Sequence, residues 1–566
     1  MNRSEILPAH RIFSKILLLF LCLTLGFDGT QSASAETTPI TVPPPPKPRH
    51  EDTNVILISL QCLRPDHLGL YGYQRKTSHN IDGLAPRSVV FDNAISQANL
   101  TPVAQMSVLT SQYPRINGMI SFEIAKGQVS HRTLPETLKL YGYTTAATVS
   151  SPEFFLRYDA DNGTMVNPGD IFSRSFDYFG RTRKGPGGKS VRRLPTEAFQ
   201  WLNQNKDQKF FLWIASGLIH LPYAATVPRP YQTMYDPSGY IPFWKRLPLP
   251  NQPWPPDTPE DPSYDVLSRV FNNTFYWDFK PLYKLTEEDV SFINSRYDAG
   301  VYYTDLFIGN LLKLLDSLQL TEKTLIILQS IHGEDLGENG SYFHYDITDS
   351  IIKNALIMRF PGDEFGGRRI ERQILGIDIM PTILNYLDIP VNHEAQGNSL
   401  LPLIRGEVPA TAQTKPAFID RLPWWEYTLD QWYLEFKSSQ GAHFSPLELQ
   451  KIPTYQALLR SRFGDLGYPP GDIGIRTNDW KLILRKNRNL LEQVSWENFI
   501  TGKSHEFAEI ELYDLKKDPA EQSNVVTQHP ETSAELLKEL QAWDATVIKH
   551  QANFQKTDER LIIPYP

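Results

Sequence analysis

Cysteine is almost missing from this chain, with two in 566 residues. Cys22 falls in an amino-terminal stretch that reads as a removable leader, so the remaining chain can form no internal disulfide and Cys62 is a lone thiol. Exported to an oxidising compartment, such a thiol persists by being buried. Basic charge is not in excess: 56 Lys and Arg stand against 64 Asp and Glu, a net charge of −8, which excludes nucleic acid as the expected partner. No segment after the leader is apolar for long enough to span a bilayer, and membrane contact is expected to be peripheral or absent. Internal repeats are absent too, and a repeat architecture is excluded.

What is present begins with the leader itself. Arg3, Arg11 and Lys15 precede an apolar run over 16–25, and Ala33, Ser34 and Ala35 supply small residues for cleavage. The pattern predicts a secretory signal over 1–35 and a secreted or periplasmic protein, membrane-anchored if the signal stays uncleaved. Residues 36–50, with Pro43 to Pro46 and Pro48, read as a tether. From 51 to 470, β-branched runs alternate with helical periodicity, the pattern of a mostly parallel central sheet flanked by helices. Asn54–Leu60, Phe210–Ser216 and Thr324–Ser330 are its clearest strands. Tyr297, Val301, Ile308, Leu311, Leu312, Leu315 and Leu318 mark one buried helix face, and Asp378 followed by Pro381 marks a helix start. Two stretches rich in Pro and aromatics, 225–290 and 421–470, read as insertions. The text then changes to an amphipathic strand over 476–485, a turn-rich 511–525 and a helix over 532–547. Together these predict a small C-terminal α+β subdomain over 471–550, with a tail over 551–566.

Ligands of open α/β sheets bind beyond the carboxyl ends of strands, so the residues that follow each strand carry the functional information. The first strand delivers Gln61 and Cys62, the second leads to His220, Leu221, Pro222 and Tyr223, and the third delivers Ile331, His332, Gly333 and Glu334. Thr101 and Pro102 form a fourth element. The run NVILISLQCLRPDHLGLYGY resembles the opening strand and loop of the sulfatase family of the alkaline phosphatase superfamily. LTPVAQMSVLTSQYP resembles its nucleophile segment, and QSIHGEDLGENG its second metal loop. IDIMPTILNYLDIP, GNSLLPLIRGE, IRTNDWKLILR and ELYDLKKDPAEQSN are similar to its closing elements.

The resemblance implies a sulfatase-like α/β fold, and it also exposes departures. Family members hold calcium or another divalent cation at positions occupied here by Gln61, Cys62, Ile331 and His332. Gln offers one neutral carbonyl, Cys a soft sulfur and Ile nothing, so no metal is expected at those positions. The family's formylglycine position aligns with Thr101, which cannot undergo that maturation, and the Arg of the maturation motif aligns with Gln105. Thr101 before Pro102 also has a structural reading as a helix N-cap.

His220 and His344 resemble substrate-contacting positions of the family, and a helix starting at Thr101 aims backbone donors toward the same point. Thr101, His220, His332 and His344 are therefore the candidate site residues. Cys62 with His332 is a candidate pair for a soft metal, two ligands short of a closed site. Arg64, Asp66, His67, Asp298, Asp305 and Glu334 match family positions and have ordinary explanations as anchors. Asn99, Asn162, Asn272 and Asn339 open Asn-x-Ser/Thr triplets, which carry glycans only in a eukaryotic secretory setting. His443 and Asp420 are ligands the insertions are able to contribute. The expectation is an exported pseudoenzyme without formylglycine or calcium catalysis, binding a sulfated or phosphorylated ligand or saccharide. The alternative is a sulfuric- or phosphoric-ester hydrolase with Thr101 as nucleophile and an atypical metal site.

Overall fold

The computed structural model describes residues 50–557 apart from 51, 120–131, 151–156, 160–163, 167–171, 182–192, 222, 225, 242–285, 339–341, 345, 410, 411, 413, 422–470 and 487–507. The expected leader, most of both insertions, His443, Asn162, Asn272 and Asn339 lie outside the described residues. No helix among the described residues is long and apolar enough to cross a membrane.

Runs such as NVILISL and FFLWIAS are apolar at nearly every position, which suits strands covered on both faces. In chain order the strands are β1 (Asn54–Leu60), β2 (Val89–Ile95), β3 (Thr144–Val149), β4 (Tyr178–Arg181) and β5 (Phe210–Ser216). They continue with β6 (Thr324–Ser330), β7 (Lys353–Arg359), β8 (Arg368–Ile370) and β9 (Ile374–Leu375). These nine form one sheet in the order β8-β2-β7-β6-β1-β5-β3-β4, with β9 also paired to β2. Only β7 runs antiparallel to its neighbours. The three strands singled out from sequence are adjacent at the centre, β6-β1-β5, and wholly buried. Their few polar side chains are satisfied internally: the Ser59 hydroxyl accepts from Trp213 Nε1 at 3.0 Å and from Gln329 Nε2 at 3.1 Å.

Helix α1 (Thr101–Thr110) is buried along its whole length, and α2 (Glu287–Ser317) feeds β6. A capping box between Thr286 and Asp289 starts α2, a signal that the apolar periodicity did not carry. Helix α3 (Ile379–Tyr386) starts after Asp378, as expected. The Asp378 carboxylate, however, turns back to accept from the backbone N–H of Leu375 and of Asn398, both at 2.8 Å. Its burial outweighs those two donors and pushes its pKa up to about 6.

A second, antiparallel sheet comprises β10 (Ala417–Asp420), β11 (Ile473–Arg476), β12 (Trp480–Leu484) and β13 (Ile510–Asp514). The single strand expected over 476–485 is instead a hairpin. Thr477 donates its N–H to the Trp480 carbonyl at 2.8 Å and turns the chain between β11 and β12. The stretch expected to be turn-rich from 511 opens on β13, and the last helix, α4 (Pro530–Thr557), is longer than its apolar pattern. Leu536 and Leu540 of α4 pack on Ile473, Ile475, Leu482 and Leu512 of this sheet.

Buried ion pairs fasten the small sheet to the loop after β6. Arg485, 1% exposed at its side chain, meets Asp346 through both terminal nitrogens at 2.6 and 3.0 Å and also reaches Glu511 at 2.8 Å. Arg476 and Lys481 converge on Asp349. The Arg485 and Arg421 guanidiniums hold the Asp346 carboxyl well below the ordinary carboxylate range in spite of its burial.

Candidate functional site

Hydrogen bonding between the strand ends brings the candidate residues together. Gln61 donates its N–H to the Ser216 carbonyl and Ile331 donates its N–H to Leu60, both at 2.9 Å, so the chain leaves β1, β5 and β6 at one level. Gly333 follows His332 in a gap where a Cβ would fall 2.0 Å from the Ser350 carbonyl oxygen, a close approach that only glycine allows.

Thr101 is the first residue of α1, and its side chain makes no capping bond, which corrects the N-cap reading; Leu100 holds that position. The Thr101 hydroxyl is 2.8 Å from His332 Nε2 and accepts from Gln61 Nε2 at 2.5 Å. His332 Nδ1 lies 2.8 Å from the Gly333 carbonyl, which only accepts. Nδ1 therefore carries the ring hydrogen, Nε2 of the neutral ring offers a lone pair, and Thr101 donates its proton to it. The same accounting makes Gln61 present its amide nitrogen to the oxygen. The nucleophile position is thus occupied by a hydroxyl held between an imidazole base and an amide donor, all three residues being buried. One turn along α1, the buried amide nitrogen of Gln105 has no hydrogen-bond partner among the described residues.

A second group of side chains adjoins the first. Cys62, His220 and His344 are buried and bring their ligand atoms within 4.8 Å of one another. The soft pair expected from sequence, Cys62 with His332, is not what the fold gathers, because His332 Nε2 faces Thr101. The rings of His332 and His344 are nevertheless 4.3 Å apart at their centroids, and those of His220 and His344 5.2 Å apart. All four candidate residues and Cys62 form one continuous cluster.

Glu334 and Tyr223 complete it in a way that residue spacing did not reveal. Glu334 Oε2 is 3.0 Å from His344 Nδ1, and Glu334 Oε1 accepts from the Tyr223 hydroxyl at 2.8 Å. Burial, then the neighbouring Glu334 charge, push the Tyr223 phenol well above its ordinary value, so it stays a donor. Asn99 is fully buried with its amide nitrogen on the His344 carbonyl at 2.9 Å, which removes it as a glycan acceptor in the folded chain.

Several of the other family-matching residues act as anchors. Asp298 receives Tyr73 and lies 2.6 Å from His67 Nδ1, while Asp305 accepts the backbone N–H of Asn80 and Ile81. Arg64 pairs with Asp66 through two bonds and reaches the Glu334 carbonyl. Asp420 is engaged by Arg115 at 2.7 Å. A cavity of about 630 Å³ opens beside Arg64, Lys353, Arg369 and Arg476, and none of Thr101, His220, His332 and His344 lines it.

A calcium-type cation does not fit the residues present. Gln61 turns its nitrogen toward Thr101, and Ile331, 2% exposed, puts hydrocarbon where an anionic oxygen would be required.

The sheet order, the single antiparallel strand and the cluster at the strand ends define the class as an α/β protein with a mostly parallel central sheet and its candidate site beyond the strand ends. The sulfatase family profile matches residues 53–389, more than half of the chain, and the chain belongs to that family. Iduronate 2-sulfatase of Mus musculus is 27% identical over 411 residues, 60% of this chain and 69% of that protein. The phosphonate monoester hydrolase of Agrobacterium radiobacter superposes with a TM-score of 0.60 at 19% identity, covering 88% of this chain and 96% of the other. A protein solved with its substrate D-glucosamine-2-N,6-O-disulfate superposes at 0.57 with 18% identity, over 88% and 98%. At these identities the two structures establish the fold alone.

Proposed function

We propose that this chain is an exported sulfatase-family protein that binds a sulfated or phosphorylated ester, a sulfated saccharide first among them, without formylglycine or calcium catalysis. The observation that carries this reading is the Gln61 amide on Thr101 with Ile331 alongside: a neutral donor and a methyl-bearing side chain stand where the family's cation is held. His344 packs on His332, the partner of Thr101, and His220 packs on His344, while Gln105 keeps a buried donor one helical turn along from Thr101, so an anion has partners in this cluster. The leader-like residues 1–35 support export, and the sulfated sugar bound by one structural neighbour supports the ligand class. Isothermal titration with sulfated glucosamine tests it. Binding that weakens at least about tenfold in His220→Ala or His344→Ala is expected, and equal affinity in the wild type and both variants would refute the pocket.

The 2.8 Å contact from Thr101 to His332 favours a second reading. In it, His332 takes the hydroxyl proton as Thr101 attacks the sulfur or phosphorus of an ester, the leaving-group oxygen departs as the alcohol or phenol with the proton from His332, and water later cleaves the Thr101 ester to release sulfate or phosphate and regenerate the hydroxyl. Turnover of aryl sulfates or aryl phosphates that vanishes in Thr101→Ala and His332→Ala would establish it in place of the binding-only reading; no turnover leaves the latter.

A further inference from the structure

We propose that Cys62, His220 and His344 form a binding site for a soft divalent cation of the zinc type, which shares only the Cys62 position with the family's hard-cation site. It uses none of Gln61, Ile331 and His332. Zinc takes thiolate and imidazole ligands in tetrahedral sites with bonds of about 2.0–2.3 Å, which sets ligand atoms roughly 3.4–3.7 Å apart. Here the three ligand atoms already lie within 4.8 Å of one another, so contraction by up to about 1.4 Å on this scale closes the site.

The surroundings are those of a ligand set rather than of packed core. His220 Nδ1 lies 2.6 Å from the Leu221 carbonyl, which fixes its hydrogen there and makes Nε2 the lone-pair nitrogen of the neutral ring. Glu334, beside His344 and tied to Tyr223, adds a carboxylate next to the ring. A Cys62 thiolate and the Glu334 carboxylate together match the charge of a dication, which is the condition for burying one. Cys62 itself sits at φ 60°, the left-handed region that strains a non-glycine residue. Tyr297 holds it there by donating to the Cys62 carbonyl at 2.6 Å and accepting the Arg64 N–H at 2.8 Å. Three protein ligands leave one position for water or an oxygen of a bound anionic ester.

The test is elemental analysis of the full protein purified without chelators, followed by chelator stripping and reconstitution with cobalt(II). The expected result is one zinc per chain in the wild type, lost in Cys62→Ser and in His220→Ala. The stripped wild type should take up cobalt with the thiolate charge-transfer and visible ligand-field absorption of a tetrahedral site. Glu334→Gln should weaken zinc about 10- to 100-fold while leaving the thiolate band in place at saturating cobalt. Stripped wild type that keeps its circular dichroism yet shows no thiolate–cobalt band would overturn the site even if the variants fail to fold. So would metal retained undiminished in Cys62→Ser. Ester binding by a protein that takes up neither zinc nor cobalt would overturn the cation site alone and leave the preceding function standing.

Discussion

Replacing Thr101 with valine keeps the shape of the side chain and deletes its oxygen. Two buried bonds go with it, the donation to His332 at 2.8 Å and the acceptance from Gln61 at 2.5 Å. A buried hydrogen bond contributes about 1 kcal/mol net, and removing one partner inside a core costs about 1–3 kcal/mol, so two bonds sharing one atom imply a loss of about 2–3 kcal/mol. That corresponds to a folded-to-unfolded ratio lower by roughly 30- to 150-fold. Thr101→Ser keeps the hydroxyl and gives up one methyl, which costs about 0.8 kcal/mol. Urea unfolding followed by tryptophan fluorescence, wild type beside the two variants at equal m-value, measures both numbers. A valine variant within about 0.5 kcal/mol of the wild type would refute the claim that Thr101 is held between these partners.

Asp378, with its folded pKa raised from 3.8 to about 6, binds more protons folded than unfolded between those values, so it favours the folded state fully below pH 4 and this contribution is lost as pH rises through 6. The loss is about 3 kcal/mol at most, and Asp378→Asn should flatten the thermal-stability profile between pH 4 and pH 7. Arg485→Met leaves the Asp346 and Glu511 carboxylates of a buried network without their shared cation and should cost about 3–5 kcal/mol in chemical unfolding. Gly333→Ala puts a methyl against the Ser350 carbonyl and should both destabilise the chain and displace His332, read as a loss of stability and of any Thr101-dependent activity together.

The central strands were legible because their burial on both faces leaves apolar runs with little competing pattern, as in Val55, Ile56, Leu57 and Ile58. Their carboxyl ends were legible for the same reason, and with them Gln61, Cys62, His332 and the substitution at Ile331. The hairpin at Thr477 was not, since a turn of three ordinary polar residues between two amphipathic strands has no glycine or proline to announce it. The partnership of Cys62 with His220 and His344 depends on side chains 158 and 282 positions away in the chain, with the latter distance set by a contact at 3.9 Å that no local periodicity encodes. The N-cap reading of Thr101 failed because long-range partners, Gln61 and His332, compete for the same hydroxyl and win it.

Asp346 lies two residues beyond His344, and the cation that clamps it, Arg485, is 139 residues further along the chain. A polypeptide that emerges amino-terminus first, from a ribosome or through a translocon, therefore exposes Thr101, His220 and His332 to their compartment before the loop carrying His344 has its clamp. Completion of the cluster waits on the small antiparallel sheet, so a chain cut short before Arg485 should assemble the sheet's central strands and still lack a finished site. The last segment to arrive acts as the latch on the first site to be visible in the sequence.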